Sequence, residues 1–504
     1  MSIPAGLESA LGDFLGRQRW FSGDPAAAAE STIADWEWLV RDEPGLLWVL
    51  AEAAGTVYQV PVGLRRTEAA DAILEGQENA VIGRVELGRG EAVAYDALVD
   101  PECCILLAAS VLDLHASRAR PVGAEQSNSS VVFDDRAIMK VFRRPMEGAN
   151  PEVEVAVALD GVGFNHLPAP LGYWRRKDRD LAVAQEFLVG GAEGWAMALT
   201  SLRDLLATEN IGSAVPFPAG PSGASPARHP TPGPPDDAAL EESVERSVME
   251  AGGDFGFEAV RLGEMTAKLH VAMARAFGSE PGRPGSWAEA VEVQLDRLAA
   301  RADVAGLAVQ PSEVRVRAAG FVRRLASLQH PGQVCRVHGD FHLGQVMRSE
   351  VGWFVLDFEG EPSRPLAERR VWTSPLKDVA GMVRSLHYAS AVALTERGTS
   401  GKDTARLAAG WERRNRSAFM DGYLRTAAST TLAALLPGAD DWDTVLAAFE
   451  LEKAAYELVY ELDSRPSWAH IPATALAALL DRIELDRIEP DRIEGDVPGV
   501  EGAG

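Results

Sequence analysis

The chain has 504 residues, 46% of them apolar, and a formal net charge of −25. A chain this long fills two or three cores rather than one, and the acidic balance excludes a protein that coats nucleic-acid phosphates with Lys and Arg, while leaving room for a local basic pocket. The cysteines, Cys103, Cys104 and Cys335, are odd in number and two are adjacent, which fits neither a disulfide framework nor a zinc site and suits a reducing compartment. The N-terminus lacks the charged start and unbroken apolar stretch of a signal peptide, and no run of about 18 apolar residues marks a membrane span. The expectation is a cytoplasmic protein with no membrane or nucleic-acid partner.

In chain order, "GLESALGDFLGRQ" predicts a helix, and the short apolar runs after it, with Thr56, Tyr58, Val60 and Val62 alternating, predict an antiparallel sheet. Residues 1–118 are therefore read as one N-terminal α/β subdomain. Residues 119–190 read as strand, turn at Asp134–Asp135, strand "AIMKVF", helix "NPEVEVAVALDGV", then strands "LGYWRR" and "DLAVAQEFL". Residues 191–485 read as mostly helical. "AVRLGEMTAKLHVAMARAF", "SWAEAVEVQLDRLAARA", "VRVRAAGFVRRLASLQ", "PLKDVAGMVRSLHYASAVAL" and "WDTVLAAFELEKAAYELVYEL" repeat apolar residues every three or four positions. The exception is "GWFVLDFEGEP", a short buried-strand pattern.

Two segments resist this reading. Residues 214–237 are so rich in Pro, Gly, Ala and Ser that they form a disordered insertion. The end of the chain repeats DRIE three times; helix is expected to about Leu485 and a flexible tail over 486–504. A partner-docking motif is the functional alternative for both.

The chemistry concentrates in "VHGDFHLGQV", residues 337–346. Phosphoryl transfer needs a carboxylate to orient the attacking hydroxyl, ligands for magnesium, and a cation on the phosphates. Lys140 ends a strand and Glu154 follows on a helix, so an ion pair between them can hold the lysine against phosphates. Asp340 lies in a loop as the base, and Gln345 follows at the five-residue spacing of a metal-binding amide. Asp357 ends the next strand in "VLDFEG" and supplies a second oxygen ligand for Mg2+. His338 reads as a brace for the loop. Taken singly these are ordinary surface pairs and turn residues; it is their joint order along the chain that carries the reading.

These motifs resemble the aminoglycoside phosphotransferase and choline kinase branch of the protein-kinase-like fold, and within it the actinobacterial maltokinases. The stretches that carry the resemblance are "RQRWFSG", "EQSNSSVVFDDRAIMKVFRR", "EGWAMA", "HGDFHLGQVM", "DFEGEPSRPLAERR", "SPLKDVAGMVRS" and "EKAAYELVYELDSRPSW". The resemblance implies an α+β, bilobal protein-kinase-like fold: an N-terminal α/β cap subdomain, an N-lobe with an antiparallel sheet, and a mostly helical C-lobe. It implies ATP and Mg2+ as cofactors and phosphorylation of maltose at its anomeric hydroxyl, giving maltose 1-phosphate for glucan synthesis. A trehalose-synthase-type partner is implied by the family's pathway alone.

Carried onto this chain, the resemblance makes Asp340 the base, Gln345 and Asp357 the metal ligands, and Lys140 with Glu154 the phosphate-holding pair. Gln126, Ser127, Asn128 and Ser129 stand where a loop covers the phosphates, against the alternative of a plain hairpin. "QEFL" presents the backbone of Glu186 and Leu188 to adenine. Gln345 replaces the Asn of the wider superfamily, and Glu359 replaces a Gly, leaving it as a second metal contact or a sugar contact beside His342.

The acceptor site is read from residues 442–463, where Lys453, Tyr456 and Tyr460 recur at helical spacing, as do Glu457 and Glu461. Flat rings beside charged hydrogen-bonders suit sugars; the alternative is a core-facing tyrosine stripe with solvated ion pairs. Trp468, in "SRPSW", extends the site, and Trp195 either lines the same cleft or packs. A glucosamine kinase is the runner-up, an aminoglycoside phosphotransferase less favoured, and a silent kinase-like scaffold the rival from another class.

Overall fold

The computed structural model describes residues 2–87, 90–122, 128–207, 244, 248–249, 255–360, 365–398 and 401–494, with side chains to residue 484. Helix α1 (Leu7–Gly16) repeats Leu7, Leu11, Phe14 and Leu15 on one face, and all four are buried. They meet Tyr58, Val60, Val62 and Leu64 of strand β3 (Thr56–Arg65) in one apolar cluster. Strands β1 (Thr32–Val40), β2 (Gly45–Ala53), β3, β4 (Val81–Leu87) and β5 (Gly90–Asp96) form an antiparallel sheet in the order β1-β2-β3-β5-β4, with α2 (Thr67–Leu74) in the β3–β4 connection and α3 (Pro101–Leu112) after β5.

The alternation at Thr56–Val62 predicts one apolar face, yet Gln59, Pro61 and Gly63 on the other face are buried as well. A second sheet covers that face. It consists of β6 (Ala119–Val122), β7 (Asn128–Phe133), β8 (Ala137–Phe142), β9 (Pro170–Arg176) and β10 (Arg179–Glu186), ordered β6-β7-β8-β10-β9 and antiparallel throughout. Gln59 is the polar bolt between the sheets. Its side chain accepts from Trp48 Nε1 at 3.0 Å and donates to the Leu181 carbonyl at 2.9 Å, and its backbone N–H reaches Arg143 O at 2.8 Å. The predicted turn is a tight one. Asp134 and Asp135 both have positive φ, 48° and 53°, and with Arg136, whose N–H donates to Phe133 O at 2.9 Å, they link the paired Phe133 and Ala137. Helix α4 (Pro151–Gly161) follows β8, started by Asn150, whose side chain accepts from Glu152 N, and by Pro151 at its first position.

Residues 1–191 make up one compact unit and residues 192–504 a second, dominated by helices. The second contains β11 (Ala192–Glu193), α5 (Gly194–Ala207), α6 (Phe255–Phe277), β12 (Ser279–Pro281), α7 (Pro284–Ala299), α8 (Pro311–Ala326), β13 (Gln333–Cys335), β14 (Val346–Ser349), β15 (Gly352–Val355), α9 (Leu366–Arg369), α10 (Leu376–Arg397), α11 (Lys402–Ala428), α12 (Ala439–Ser464) and α13 (His470–Glu494). Helix α13 runs past the expected end at Leu485, because backbone helix propagation needs no side-chain period. The insertion 214–237 and the chain end 495–504 lie outside the described residues. Among the described residues no helix is long and apolar enough to cross a membrane.

Helices α6 and α11 touch backbone to backbone. A Cβ built on Gly263 meets Phe419 O at 2.0 Å, and one on Gly422 meets Val260 O at 2.1 Å. Gly263→Ala is therefore expected to destabilise the protein by about 3 kcal/mol or more, the upper range for overpacking, read as a lowered urea midpoint; an unchanged midpoint would show that the two helices separate freely.

Candidate active site

The loop between β13 and β14 is built from its backbone outward. Gly339 sits at φ +85°, a conformation that favours glycine, and this turn presents Asp340. The His338 ring is fixed at both nitrogens: Nε2 donates to Leu356 O at 2.9 Å, so Nδ1 is the acceptor for Asp340 N at 3.4 Å. That is the bracing role expected of it.

Helix α10 supports the loop from beneath. Asp378, fully buried, accepts from His338 N and Gly339 N at 2.9 Å each and from His270 Nε2 at 3.1 Å, while His270 Nδ1 meets the Tyr423 hydroxyl at 2.9 Å. Burial pushes the Asp378 carboxyl up, but the His270 hydrogen bond and charge, with those of its other partners, hold it below the usual range. Leu343 N donates to Ser385 Oγ at 3.1 Å, and a Cβ on Gly381 would lie 2.5 Å from Phe341 O, so the loop rests directly on the helix backbone.

Asp340 faces Lys453 of α12, whose Nζ lies 3.0 Å from Oδ1. Burial works to raise the Asp340 pKa, but Lys453, with His342 and His338, outweighs it and holds the carboxyl at about 2. His342 Nδ1 accepts from Gly344 N at 3.0 Å and its Nε2 stands 3.9 Å from Asp340 Oδ2. Burial, reinforced by Lys453 and opposed by Asp340, lowers the His342 pKa, so the ring is neutral at neutral pH. Asp357 lies just past β15 in a left-handed conformation, φ +58°. Its Oδ2 is 3.2 Å from the Gln345 side-chain amide, which brings the two expected metal ligands together; the amide's oxygen and nitrogen are interchangeable by rotation. A carboxylate and an amide oxygen side by side fit a hard cation. Half-buried Glu359 follows two residues later.

Helices α10 and α12 are joined by three rungs. Lys377 pairs with Glu452 at 3.2 Å, Arg384 with Glu457 at 2.6 Å, and the Tyr388 hydroxyl donates to Glu461. Residue numbers rise together along both, so the helices run parallel. Beside the rungs, Lys453 Nζ lies 5.1 Å from the Tyr456 ring centre. Trp468 stacks on Tyr388 at 6.4 Å and 16°, and Trp195 meets the same tyrosine at 6.4 Å, so Trp195 joins the aromatic group. Arg465 lies over Trp468, 5.0 Å from its ring centre, and bonds both Glu461 oxygens. Tyr460 meets only Arg465 among the recorded ring contacts, at 5.7 Å, and is 46% exposed.

In the first unit, Lys140 on β8 pairs with Glu152 at 2.9 Å, a carboxylate two residues before the expected Glu154. Asn128 and Ser129 lie within β7, both buried, and the Ser129 hydroxyl accepts from Arg143 Nε at 2.8 Å. Buried Arg143 also pairs with Asp96 at 2.5 Å, so the Ser129 side chain serves the core and does not belong to an open covering loop. Gln126 and Ser127 lie outside the described residues. Glu186 N is bonded to Ala169 O, and Leu188 O accepts from Gly191 N.

Sequence reasoning missed Glu152, Asp378, Arg384 and Tyr388. Asp378 had a signal: it is a lone acid in the apolar opening of α10, where a charge survives only if hydrogen-bonded.

Residues 14–100 match the maltokinase N-terminal cap domain, and residues 258–413 match the phosphotransferase enzyme family. Curated relatives include a glucosamine kinase of Mycolicibacterium smegmatis (strain ATCC 700084 / mc(2)155), 28% identical over 383 residues, covering 72% of this chain and 79% of the relative. Another is a glucosamine kinase of Streptacidiphilus jiangxiensis, 27% identical over 398 residues, with 75% and 77% covered. Among solved structures, a glucosamine kinase (crystal form A) aligns with a TM-score of 0.64 at 20% identity over 97% of this chain and all of that one. A glucosamine kinase in complex with glucosamine, ADP and inorganic phosphate aligns at 0.60 and 21% identity, over 95% of this chain and 100% of that one. The fold is thus the mixed helix-and-sheet fold of kinase-like phosphotransferases, with a sheet-rich N-terminal part and a helical C-terminal part.

Proposed function

We propose that this chain, which matches the phosphotransferase enzyme family over residues 258–413 and the maltokinase N-terminal cap domain over residues 14–100, phosphorylates maltose at the anomeric hydroxyl with ATP. Lys140, held by Glu152, takes the phosphates, and the backbone from Glu186 to Leu188 takes adenine. Asn128, with Gln126 and Ser127 before it in sequence, serves the same phosphates. Asp357 and Gln345 would hold Mg2+, which when bound offsets charge on the phosphate oxygens. Asp340 orients the sugar hydroxyl and takes its proton; His342, Glu359, Tyr456, Tyr460 and Trp468 contact the sugar.

The observation that carries maltose is the ladder on α12. Its acids Glu452, Glu457 and Glu461 are matched inside the protein by Lys377, Arg384 and Arg465, so they leave no charge for a substrate ammonium. From Lys453 to Glu461 the helix rises about 12 Å, a length that suits two hexose rings better than one.

Glucosamine is the second reading, favoured by the names of the relatives and by Glu193. None of the recorded ion pairs among the described residues includes Glu193, and burial raises its pKa. Its Oε1 and the His342 ring both flank Gly344, where an amino group would satisfy it. The test is ADP release with maltose, glucose, glucosamine and kanamycin. Maltose is expected to give the highest kcat/KM, with a product that loses its reducing end. A higher kcat/KM for glucosamine, abolished by Glu193→Gln, would overturn the maltose reading.

A further inference from the structure

The pocket beside Asp340 holds a second feature that sugar binding does not use. It is lined by Asp340, Phe341, Lys377, Phe449, Lys453 and Tyr456, among others. Its two lysines are placed differently. Lys377 Nζ sits 3.2 Å from both oxygens of Glu452 and is neutralised by a residue with no part in the chemistry. Lys453 has the base itself as its partner, 3.0 Å from Oδ1, with side chains 24% and 16% exposed. A cation that only gripped a sugar gains nothing from standing on the base, where it competes with the hydroxyl that the base must hold.

We propose that Lys453 is a catalytic residue of phosphoryl transfer, bridging the Asp340 carboxylate and an equatorial oxygen of the transferred phosphoryl group. This rests on the kinase reading above, and it places Lys453 on the phosphoryl side of the reaction instead of the sugar side. The geometry follows from the base. A hydroxyl bonded to Asp340 and in line with phosphorus puts that phosphorus within a few ångströms of anything bonded to the same carboxylate. An ammonium has three donors in rotatable array, so one can stay on Oδ1 while another meets the phosphoryl oxygen. In the transfer, the sugar oxygen's lone pair forms the new P–O bond and its proton passes to Asp340. The bond from phosphorus to the bridging oxygen of ADP breaks, and ADP leaves with that electron pair. Charge spread over the equatorial oxygens in a loose transition state is what a fixed cation stabilises.

Six charged or titratable groups face Asp340: His338 and His342 from its own loop, Lys453, Glu452 and Tyr456 from α12, and Lys377 from α10. Removing Lys453 leaves the carboxylate buried with weaker support, so its pKa rises.

The decisive experiment compares Lys453→Gln and Lys453→Arg with the wild type across pH, using whichever acceptor the wild type turns over. For Lys453→Gln, kcat is expected to fall about 10²–10³-fold, as when one preorganised donor is lost, with the sugar KM little changed. The acidic limb of the kcat profile moves up by about 1–3 pH units. Lys453→Arg keeps the charge and is expected to retain part of kcat with the limb in place; should the glutamine variant not fold, the arginine variant alone decides. A raised sugar KM with kcat and acidic limb intact would overturn the proposal and return Lys453 to sugar binding. Failure of the kinase reading shows separately, as a wild type that turns over no sugar. In that event the slow hydrolysis of ATP by water tests Lys453 by the same loss of kcat.

Discussion

Asp340→Asn is expected to lower kcat by about 10²–10⁴-fold, the range for losing a general base, while ATP affinity stays nearly unchanged. The carboxamide keeps the shape of the side chain and loses the charge and the proton-accepting oxygen. The backbone contacts that set the loop, through Asp378 and the His338 ring, involve main-chain atoms and stay in place. Initial-rate kinetics paired with nucleotide titration by calorimetry separates the effects: the loss should fall in kcat with the ATP dissociation constant preserved. A parallel loss of nucleotide affinity would show that Asp340 acts on ATP and not on the acceptor hydroxyl.

The second large effect belongs to a residue with no place in the chemistry. Asp378→Ala removes the acceptor shared by His338 N, Gly339 N and His270 Nε2, and deleting one partner of such a buried set costs about 3–5 kcal/mol. Urea denaturation should show that loss, and activity should fall with it, since the backbone that aims Asp340 loses its anchor. The pH dependence follows from linkage. The Asp378 carboxyl is held below its ordinary value in the folded protein. Its stabilisation is therefore full above the unfolded pKa of about 3.9 and is lost as pH falls through the folded value. Asp378→Asn should accordingly flatten the acid side of the stability profile; an unaltered acid limb would mean that other carboxylates govern acid unfolding.

Much of the site was legible because its chemistry is local. The turn at Gly339, the proposed base Asp340 after it, the amide of Gln345 and Asp357 past a short strand all lie between residues 339 and 357, and backbone rules alone set their order. What was not legible depends on rotation or distance. That Glu152 pairs with Lys140 depends on how α4 is turned against β8, which spacing alone does not give. Asp378 reaches its partners across 40 residues of chain. Arg384 and Tyr388 repeat at the same four-residue interval as Glu457 and Glu461, a match visible in sequence only once two helices are known to be neighbours. Helix α11 passed unnoticed because its buried stripe includes Gly410, Asn415 and Gly422 among Leu407, Trp411, Phe419 and Tyr423, so the apolar signal is diluted where the helix packs closest.

The crossing of α6 and α11 also bears on how this protein can change over time. Where a side chain fills a contact, a neighbour can shrink to make room for a larger replacement, and compensating pairs accumulate. At Gly263 and Gly422 the opposing atoms are main-chain carbonyls, so nothing can be trimmed. Rescue of a bulkier residue there must come from stabilising changes elsewhere in the chain, and both positions are evolutionary dead ends for local repair.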